Sequence, residues 1–276
     1  MRGLALHEGA RGLEDDCAVL EIGGETLVFT HDTMAEGTHF RPDADMADVA
    51  WKLVASNLSD LAAKGAEPIG VLLGHCLGRD DVKFLAGLKE ALDTFNVKLL
   101  GGDTIAARDA PILGLTAIGR ATHSPVPSRG GAGVDDDLYV TGTLGRALLG
   151  FQGMPAYLEA FNRPTPLLAE GRALAPHVTA MMDISDGLLL DAFRLAKASG
   201  VTLAIETSAV PIADVQRRED AMRWGDDYEL LFTLRAGADT PIKATRIGQT
   251  RPLSIAPLML DEHPVMSIDG LGYQHG

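Results

Sequence analysis

Apolar and polar residues repeat along this chain with two periods, which predict strands and helices in alternation. The stretch ETLVFTHDT, residues 25–33, is typical of a strand that ends in polar residues, and residues 46–64 repeat apolar side chains with a helical period. Gly65 and Pro68 predict the end of that helix. The stretches IGVLLGHCL, VKLL and PILGLTAIGRA predict further strands, with a helix that begins near residue 80 between the first two.

A boundary between two halves is predicted over residues 123–137, which are rich in Pro, Ser, Gly and Asp. Beyond it, the stretches LYVTG, VTLAIE and DYELLFTL predict strands. LGRALLGF and the segment after MDISDG predict helices, and Gly200 ends the second of them. We therefore predict an α/β or α+β protein with domains over residues 1–123 and 124–276. Neither the G-x-G-x-x-G nor the Walker A spacing of common nucleotide folds occurs.

The composition is that of a globular protein and disfavours several classes of function. Of the 276 residues 46% are hydrophobic, and the formal net charge of −14 argues against binding to nucleic acid or to an anionic membrane. No segment resembles a signal peptide or approaches the roughly 20 apolar residues of a membrane span, so we expect a cytoplasmic protein. Cys17 and Cys76 match no zinc motif and are interpreted as reduced thiols.

The stretch MDISDGLLLD, residues 182–191, places two aspartates and a serine where a buried strand gives way to an amphipathic helix. A helix cap requires only one of Asp183, Ser185 and Asp186. The other carboxylate is costly at a partly buried boundary, and a cation usually offsets such a cost. This stretch therefore indicates a cation site.

Further acidic residues lie at comparable positions in the stretches EDDC, LVFTHD, SNLSD and GGDT, where each could be a turn or a cap. Asp60 is harder to explain in that way. It follows Leu53 by seven residues, about 20° away on the helical wheel, and so lies on the apolar stripe. Either Lys64 pairs with it, or several aspartates share hard cations such as Mg²⁺, which carboxylates and substrate phosphates usually hold. The second interpretation predicts phosphoryl transfer.

The motifs, taken in chain order, resemble those of one family. The resemblance is carried by DDCAVL, THDTMAEGTHF, SNLSDLAAKGAEP, GGDT, SRGGAG, LYVTGTLGRA, MDISDGLLLD, WGDDYELLFT and GLGYQH. They are similar to the motifs of thiamine-monophosphate kinase, in the aminoimidazole-ribotide-synthetase-like ATP-binding superfamily, over nearly the whole chain. The resemblance implies an N-terminal α/β half that pairs across a homodimer, a C-terminal α/β half packed on it, and ATP with several Mg²⁺ ions in the cleft.

The resemblance also implies roles for individual residues. Metal ligands are expected at Asp16, Thr30, Asp32, Asp60, Asp103, Asp183 and Asp186. Nucleotide contacts are expected at Gly102, Asp103, Arg129 and Ser185, and thiamine-phosphate contacts at His39, Asp226 and Tyr273. Catalysis is expected to involve Asp103, Arg129 and Asp186. From the residues alone, Arg129 could instead be a solvated linker residue, His39 could hydrogen-bond within a turn, and Tyr273 could be a packing aromatic.

The chain departs from the family pattern at Glu14, His31, Asp135 and Trp224, and Gly276 stands in place of an aromatic residue. None of these departures removes an aspartate assigned to the metals. They concern the N-terminal edge and the expected thiamine pocket.

The implied reaction is direct, Mg²⁺-assisted transfer of the γ-phosphoryl group of ATP to thiamine monophosphate, which yields thiamine diphosphate and ADP. A phosphate monoester has a second pKa of about 6 and is mostly a dianion at neutral pH, so it needs no general base. Two alternatives stay open. One is another ATP-dependent enzyme of the superfamily, such as an aminoimidazole ribotide synthetase, and the other is a catalytically silent nucleotide-binding regulator.

Overall fold

The computed structural model describes residues 2–106 and 110–274, which form two β-sheets with helices packed on them. The strands are β1 (Ala18–Ile22), β2 (Glu25–Ala35), β3 (Ala66–Leu77), β4 (Lys98–Ala106), β5 (Ile112–Ala121), β6 (Asp137–Val140), β7 (Ala180–Asp183), β8 (Val201–Ile205), β9 (Leu230–Leu234), β10 (Thr245–Pro252), β11 (Leu258–Leu260) and β12 (His263–Val265). The helices are α1 (Met46–Ala63), α2 (Asp81–Thr94), α3 (Arg146–Phe151), α4 (Leu158–Asn162), α5 (Leu168–Leu174), α6 (Leu188–Ser199) and α7 (Arg218–Arg223).

The first sheet has the strand order β1-β2-β5-β3-β4, with β3 and β4 parallel and the other neighbours antiparallel. Side chains on its strands point alternately to two faces. One face packs with α1 and α2 around a core that includes Val28, Leu53 and Leu115. The opposite face carries more exposed side chains, among them His31 and Leu72.

Helix α1 begins where the Asp45 side chain accepts a hydrogen bond of 2.9 Å from the Ala47 N–H. It ends before Gly65, whose φ of 59° lies in the left-handed region. A Cβ atom at Gly65 would lie 2.4 Å from the Cβ of Ala175, so glycine also permits close contact with the segment after α5. The observed helix agrees with the prediction over residues 46–64.

The second sheet has the strand order β12-β11-β8-β10-β6-β9-β7, and α6 packs on it through buried leucines. Gly200 ends α6 with a φ of 68°, as predicted. The strand predicted from DYELLFTL covers only Leu230–Leu234. Asp226 and Tyr228 have φ values of 64° and 52°, and the residues before the strand have an irregular backbone instead.

Strand β4 is an edge strand, and every one of its nine residues is exposed. The GGDT stretch lies inside this strand, whereas the sequence predicted a strand that ends before it. Leu99, Leu100 and Ile105 on β4 are between 50% and 56% exposed. An exposed apolar edge of this kind can pair with another chain.

The mixed α/β architecture confirms the predicted fold class. Among the described residues, no helix combines the length and the apolar character needed to cross a membrane. Cys17 and Cys76 are both buried thiols.

Candidate metal centre and substrate site

Helix α1 presents buried polar side chains to both sheets. The side-chain oxygen of Asn57 accepts a hydrogen bond of 3.1 Å from the Asp32 N–H on β2. The Ser59 hydroxyl donates a hydrogen bond of 2.7 Å to Asp183 Oδ2 at the end of β7. Both Asn57 and Ser59 are completely buried. These polar residues therefore join α1 to two strands whose acidic residues the sequence marked as candidate ligands.

Three carboxylates converge where α1 meets β7, and we call Asp16, Asp60 and Asp183 the carboxylate cluster. One oxygen from each lies within 4.8 Å of the others. The Thr30 hydroxyl donates to Asp60, while Asp183 Oδ1 is buried without a hydrogen-bond partner among the described residues. Burial and the charges of nearby aspartates raise the pKa of Asp60 and of Asp183 well above 3.8. Closely spaced carboxylate oxygens, with Asp183 Oδ1 unpartnered among them, fit a hard cation such as Mg²⁺.

Asp32 and Asp186 lie beside the carboxylate cluster. Burial raises the pKa of Asp32 to about 6; His31 lowers it in part, and the charges of Asp16 and Asp186 raise it further. Asp186 is 26% exposed at its side chain and forms an ion pair of 2.5 Å with Arg194. A metal ion at Asp186 would therefore have to compete with the Arg194 guanidinium.

Three basic residues, Arg11, Lys64 and Arg129, pair with Asp15 and Asp16, which precede β1. Lys64 is completely buried at its side chain, with its Nζ 2.5 Å from Asp15 Oδ1 and 2.7 Å from Asp16 Oδ2. Burial alone would lower the pKa of Lys64, but the two carboxylates raise it above its ordinary value. The sequence offered Lys64 as a partner for Asp60, and the structure pairs it with Asp15 and Asp16 instead.

Arg129, expected to contact nucleotide, is an ion-pair partner of Asp16 in this structure, and its side chain is 17% exposed. It is therefore not the solvated linker residue that its glycine-rich surroundings could indicate. Burial alone would lower the pKa of Arg129, but the carboxylate of Asp16 raises it above its ordinary value. Lys64 and Arg129 together supply the positive charge next to the carboxylate cluster.

Asp103 and Gly102 lie apart from the carboxylate cluster within one chain. In the sheet register Asp103 pairs with Gly74, Gly74 with Gly114, and Gly114 with Thr33 on β2. Three strand spacings place Asp103 about 14 Å from Thr33. A Cβ atom at Gly102 would lie 1.9 Å from the Leu73 carbonyl oxygen, so packing within the sheet is a sufficient reason for this glycine.

The three residues expected near thiamine phosphate come together around the loop of Ser185 and Asp186. The Asp226 N–H donates to the Ser185 carbonyl and the Tyr273 N–H to the Asp186 carbonyl, each at 2.9 Å. The rings of His39 and Tyr273 meet edge to face with centroids 6.3 Å apart. His39 Nδ1 also accepts a hydrogen bond of 3.1 Å from the Ala35 N–H, as its alternative role in a turn would require.

Comparison with known proteins identifies the family of this chain. Residues 14–121 match the family described as AIR synthase related protein, N-terminal domain, and residues 134–244 match its C-terminal domain. The thiamine-monophosphate kinase of Salmonella typhimurium is 34% identical over 304 residues, covering 96% of this chain and 91% of that protein. This chain belongs to the thiamine-monophosphate kinase family. The resemblance found in the motifs is thereby confirmed.

Solved structures related to this kinase family show the same fold. A structure described as AaThiL complexed with AMPPCP and TMP has a TM-score of 0.84 at 27% identity and covers 92% of this chain and 89% of that one. The thiamine-monophosphate kinase from Stenotrophomonas maltophilia has a TM-score of 0.79 at 30% identity, covering 96% of this chain and 94% of that one. The aminoimidazole-ribotide-synthetase-like fold predicted from the family resemblance is therefore confirmed.

The sequence analysis did not mark two charged residues, Asp191 and Lys52, that lie beside the candidate site. Asp191 is completely buried, and its carboxylate accepts hydrogen bonds from the Asp186 N–H at 3.1 Å and from Arg194 at 3.0 Å. Burial, followed by the charge of Asp186, raises its pKa to about 7. Lys52 lies 2.8 Å from Asp226. Lys52 precedes Ser59 by seven residues and so lies on the same face of α1. This spacing is a sequence signal that could have marked Lys52 as a candidate site residue.

Proposed function

We propose that this protein transfers the γ-phosphoryl group of ATP to the phosphate of thiamine monophosphate, with thiamine diphosphate and ADP as products. The observation that carries the proposal is membership of the thiamine-monophosphate kinase family over nearly the whole chain. The likeness to a structure complexed with AMPPCP and TMP supports the same pair of substrates. We further propose a cytoplasmic location, where ATP is available, and a division into domains over residues 1–123 and 124–276.

The metal of this proposal is Mg²⁺, with the carboxylate cluster as its main set of ligands. The spacing of the three oxygens and the unpartnered Oδ1 of Asp183 support it. Thr30, Asp32 and Asp186 lie next to the cluster and would complete the ligand set. Bound Mg²⁺ would neutralise the phosphate oxygens and orient them for transfer.

The protein's own residues must bring two polyanions together and align them. The acceptor phosphate is already a nucleophile at neutral pH, so no side chain has to remove a proton from it. Arg129, whose guanidinium pairs with Asp16 in this structure, would be the hydrogen-bond donor to the nucleotide phosphates in this proposal. Backbone N–H groups at the start of α6, directly after Ser185 and Asp186, provide further donors to the nucleotide.

The acceptor is bound, in this proposal, by His39, Asp226 and Tyr273. Thiamine carries a cationic thiazolium ring and a flat pyrimidine ring, which call for a carboxylate and an aromatic face. Asp226 offers the carboxylate and Tyr273 the aromatic face. Their attachment to the Ser185 and Asp186 loop supports a role next to the phosphates, because it holds them beside the proposed nucleotide site.

We also propose a homodimer that pairs through the first sheet. All nine residues of β4 are exposed, its apolar residues among them, and this edge supports the assembly. In such a dimer Asp103 and Gly102 of one protomer serve the metal and nucleotide site of its partner. This arrangement accounts for the position of Asp103, about 14 Å from Thr33 within one chain by strand spacing.

The experiment that tests the function is an assay of ATP-dependent conversion of thiamine monophosphate by the purified protein, with and without Mg²⁺. We expect thiamine diphosphate and ADP to form in equal amounts in the presence of Mg²⁺. Thiamine and formylglycinamidine ribotide serve as control acceptors. Turnover of formylglycinamidine ribotide would favour the aminoimidazole ribotide synthetase alternative, and ATP binding without any turnover would favour the silent regulator.

A further inference from the structure

Lys52 on α1 is an ammonium group held between a carboxylate and an aromatic ring. Its side chain is 5% exposed, and its Nζ lies 2.8 Å from Asp226 Oδ2 and 4.0 Å from the ring centroid of Phe161. A carboxylate beside an aromatic face is the chemistry that binds organic cations. In this structure a side chain of the protein itself occupies such a cation site.

The backbone fixes Asp226 firmly at this cation site. The Asp226 N–H donates to the Ser185 carbonyl at 2.9 Å, and the Tyr228 hydroxyl donates to Asp226 Oδ1 at 3.1 Å. A Cβ atom at Gly225 would lie 2.1 Å from the Ser185 carbonyl oxygen, so the loop approaches its neighbour as closely as only glycine permits. The Asp226 side chain stays 30% exposed, so a ligand can reach a carboxylate whose position is already set.

Lys52 also lies on the face of α1 that leads to the carboxylate cluster. Ser59, which binds Asp183, follows Lys52 by seven residues. At 1.5 Å per residue this is about 10 Å along the helix, at about 20° on the helical wheel. The Lys52 ammonium group and the Ser59 hydroxyl therefore lie on one face of α1, the first beside Asp226 of the expected acceptor site and the second beside Asp183 of the carboxylate cluster.

We propose that Lys52 exchanges Asp226 for the phosphate of the acceptor, while the cationic ring of the acceptor takes its place against Asp226 and Phe161. This inference rests on the proposed function, because thiamine monophosphate carries both a thiazolium cation and a phosphate dianion. One internal ion pair is then replaced by two ion pairs with a single ligand. Thiamine, which lacks the phosphate, would displace Lys52 and leave it without an anion in a buried position, which is costly. Lys52 is thus a specificity residue that favours the phosphorylated acceptor.

The test compares the affinities of thiamine and thiamine monophosphate for the wild type and for Lys52→Gln. Titration calorimetry with Mg²⁺ and a nonhydrolysable ATP analogue gives both Kd values, and their ratio measures the preference for the phosphate. We expect the ratio to fall by about tenfold or more in Lys52→Gln, with thiamine bound at least as tightly as by the wild type. If Lys52 had only a structural role, the substitution would lower the affinities for both ligands by the same factor. That result would overturn the inference.

Lys83→Gln is the matched control, because Lys83 also faces an aspartate, Asp45, but is 57% exposed and its Nζ is 3.5 Å from the carboxylate. We expect it to leave the ratio within about twofold of the wild type. The second measurement is a crystal structure of the wild type with thiamine monophosphate. It tests the inference even if Lys52→Gln does not fold. Lys52 Nζ within about 3.2 Å of a phosphate oxygen supports the exchange, and Nζ still bound to Asp226 overturns it.

The two proposals can fail separately. A wild type that neither binds nor phosphorylates thiamine monophosphate overturns the proposed function and this inference with it. A wild type that phosphorylates thiamine monophosphate, together with an unchanged ratio in Lys52→Gln, overturns the role of Lys52 alone.

Discussion

The hydroxyl of Ser59 donates a hydrogen bond of 2.7 Å to Asp183 Oδ2, although 124 residues separate them in the sequence. Ser59 lies on α1, which packs on the first sheet, and Asp183 ends β7 at the edge of the second. Asp183 is 1% exposed, so this hydroxyl takes the place of water at a buried carboxylate. The contact holds one candidate metal ligand against the helix that carries another, Asp60.

Replacing the hydroxyl in Ser59→Ala should lower the free energy of unfolding by about 1–3 kcal/mol, because Asp183 Oδ2 loses its donor inside the protein. Urea denaturation measures the change. Ser56→Ala is the control, since the Ser56 hydroxyl is also buried but donates to Leu53 within the same helix. A loss as large in Ser56→Ala as in Ser59→Ala would contradict the importance of the contact between the sheets.

The metal assignment predicts that Asp60→Asn and Asp103→Asn each lower kcat by about 10²-fold or more at saturating ATP and Mg²⁺, the scale of electrostatic stabilisation of transferred charge. Folding should persist, because the amide keeps the shape of the carboxylate. The exposed Asp93→Asn provides the control, at a side chain that is 66% exposed. Near-wild-type turnover in either site variant would refute the assignment of that residue.

Removal of the buried ammonium group in Lys64→Met should lower the free energy of unfolding by about 3–5 kcal/mol, because Asp15 and Asp16 would keep buried charges without this partner. Thermal unfolding without added metal measures the loss. We expect Mg²⁺ to restore part of the stability, since a cation near Asp16 replaces some of the missing charge. Lys89→Met, at a side chain that is 78% exposed, should change the stability by no more than about 0.5 kcal/mol.

The raised carboxyl pKa values predict that the metal-free protein becomes less stable as the pH rises. A group with a higher pKa in the folded than in the unfolded state contributes stability that is complete below the unfolded pKa and is lost as the pH passes the folded pKa. For Asp32 the pKa rises from 3.8 to about 6, and for Asp191 from 3.8 to about 7, both chiefly through burial. The loss therefore falls between about pH 4 and pH 7.

Mg²⁺ should oppose that loss, because it binds ionised carboxylates and its binding releases protons. Melting temperatures at pH 5 and pH 8, with EDTA or with Mg²⁺, measure the effect. We expect Mg²⁺ to raise the melting temperature by about 2 °C or more beyond its effect at pH 5 when the protein is at pH 8. This difference corresponds to about 1 kcal/mol for a chain of this size. An increase that is equal at both pH values would show that the buried carboxylates do not bind the metal.

The proposed dimer predicts a mass by light scattering of about twice the 29.2 kDa of one chain. Ile105→Lys, at a residue of β4 that is 56% exposed, should yield monomers and reduce turnover, because Asp103 of each protomer would no longer reach its partner. Ile255→Lys is the control, at a residue outside the first sheet that is 73% exposed. A strictly monomeric and fully active protein would contradict the dimer.

The sequence by itself determined most of the local structure. Helical periodicity, the cap at Asp45 and the glycines at 65 and 200 fix α1 and α6, because these signals act between residues that are close in the chain. The strand predicted from DYELLFTL was too long, since Tyr228 within it has a left-handed backbone and its N–H donates to the Ile184 carbonyl, far away in the sequence. Periodicity carries no information about such a contact.

The same limit applies to the candidate site. The order of the motifs identified the family and marked the aspartates, and the position of Asp60 on an apolar stripe indicated either an ion pair with Lys64 or a cation site shared by several aspartates. Only the tertiary structure decided that Lys64 pairs with Asp15 and Asp16, that Lys52 pairs with Asp226, and that Asp103 stands on an exposed edge strand. A side chain finds its ionic partner across space at a few ångströms, and the fold, through the packing of α1 against both sheets, sets which groups come that close.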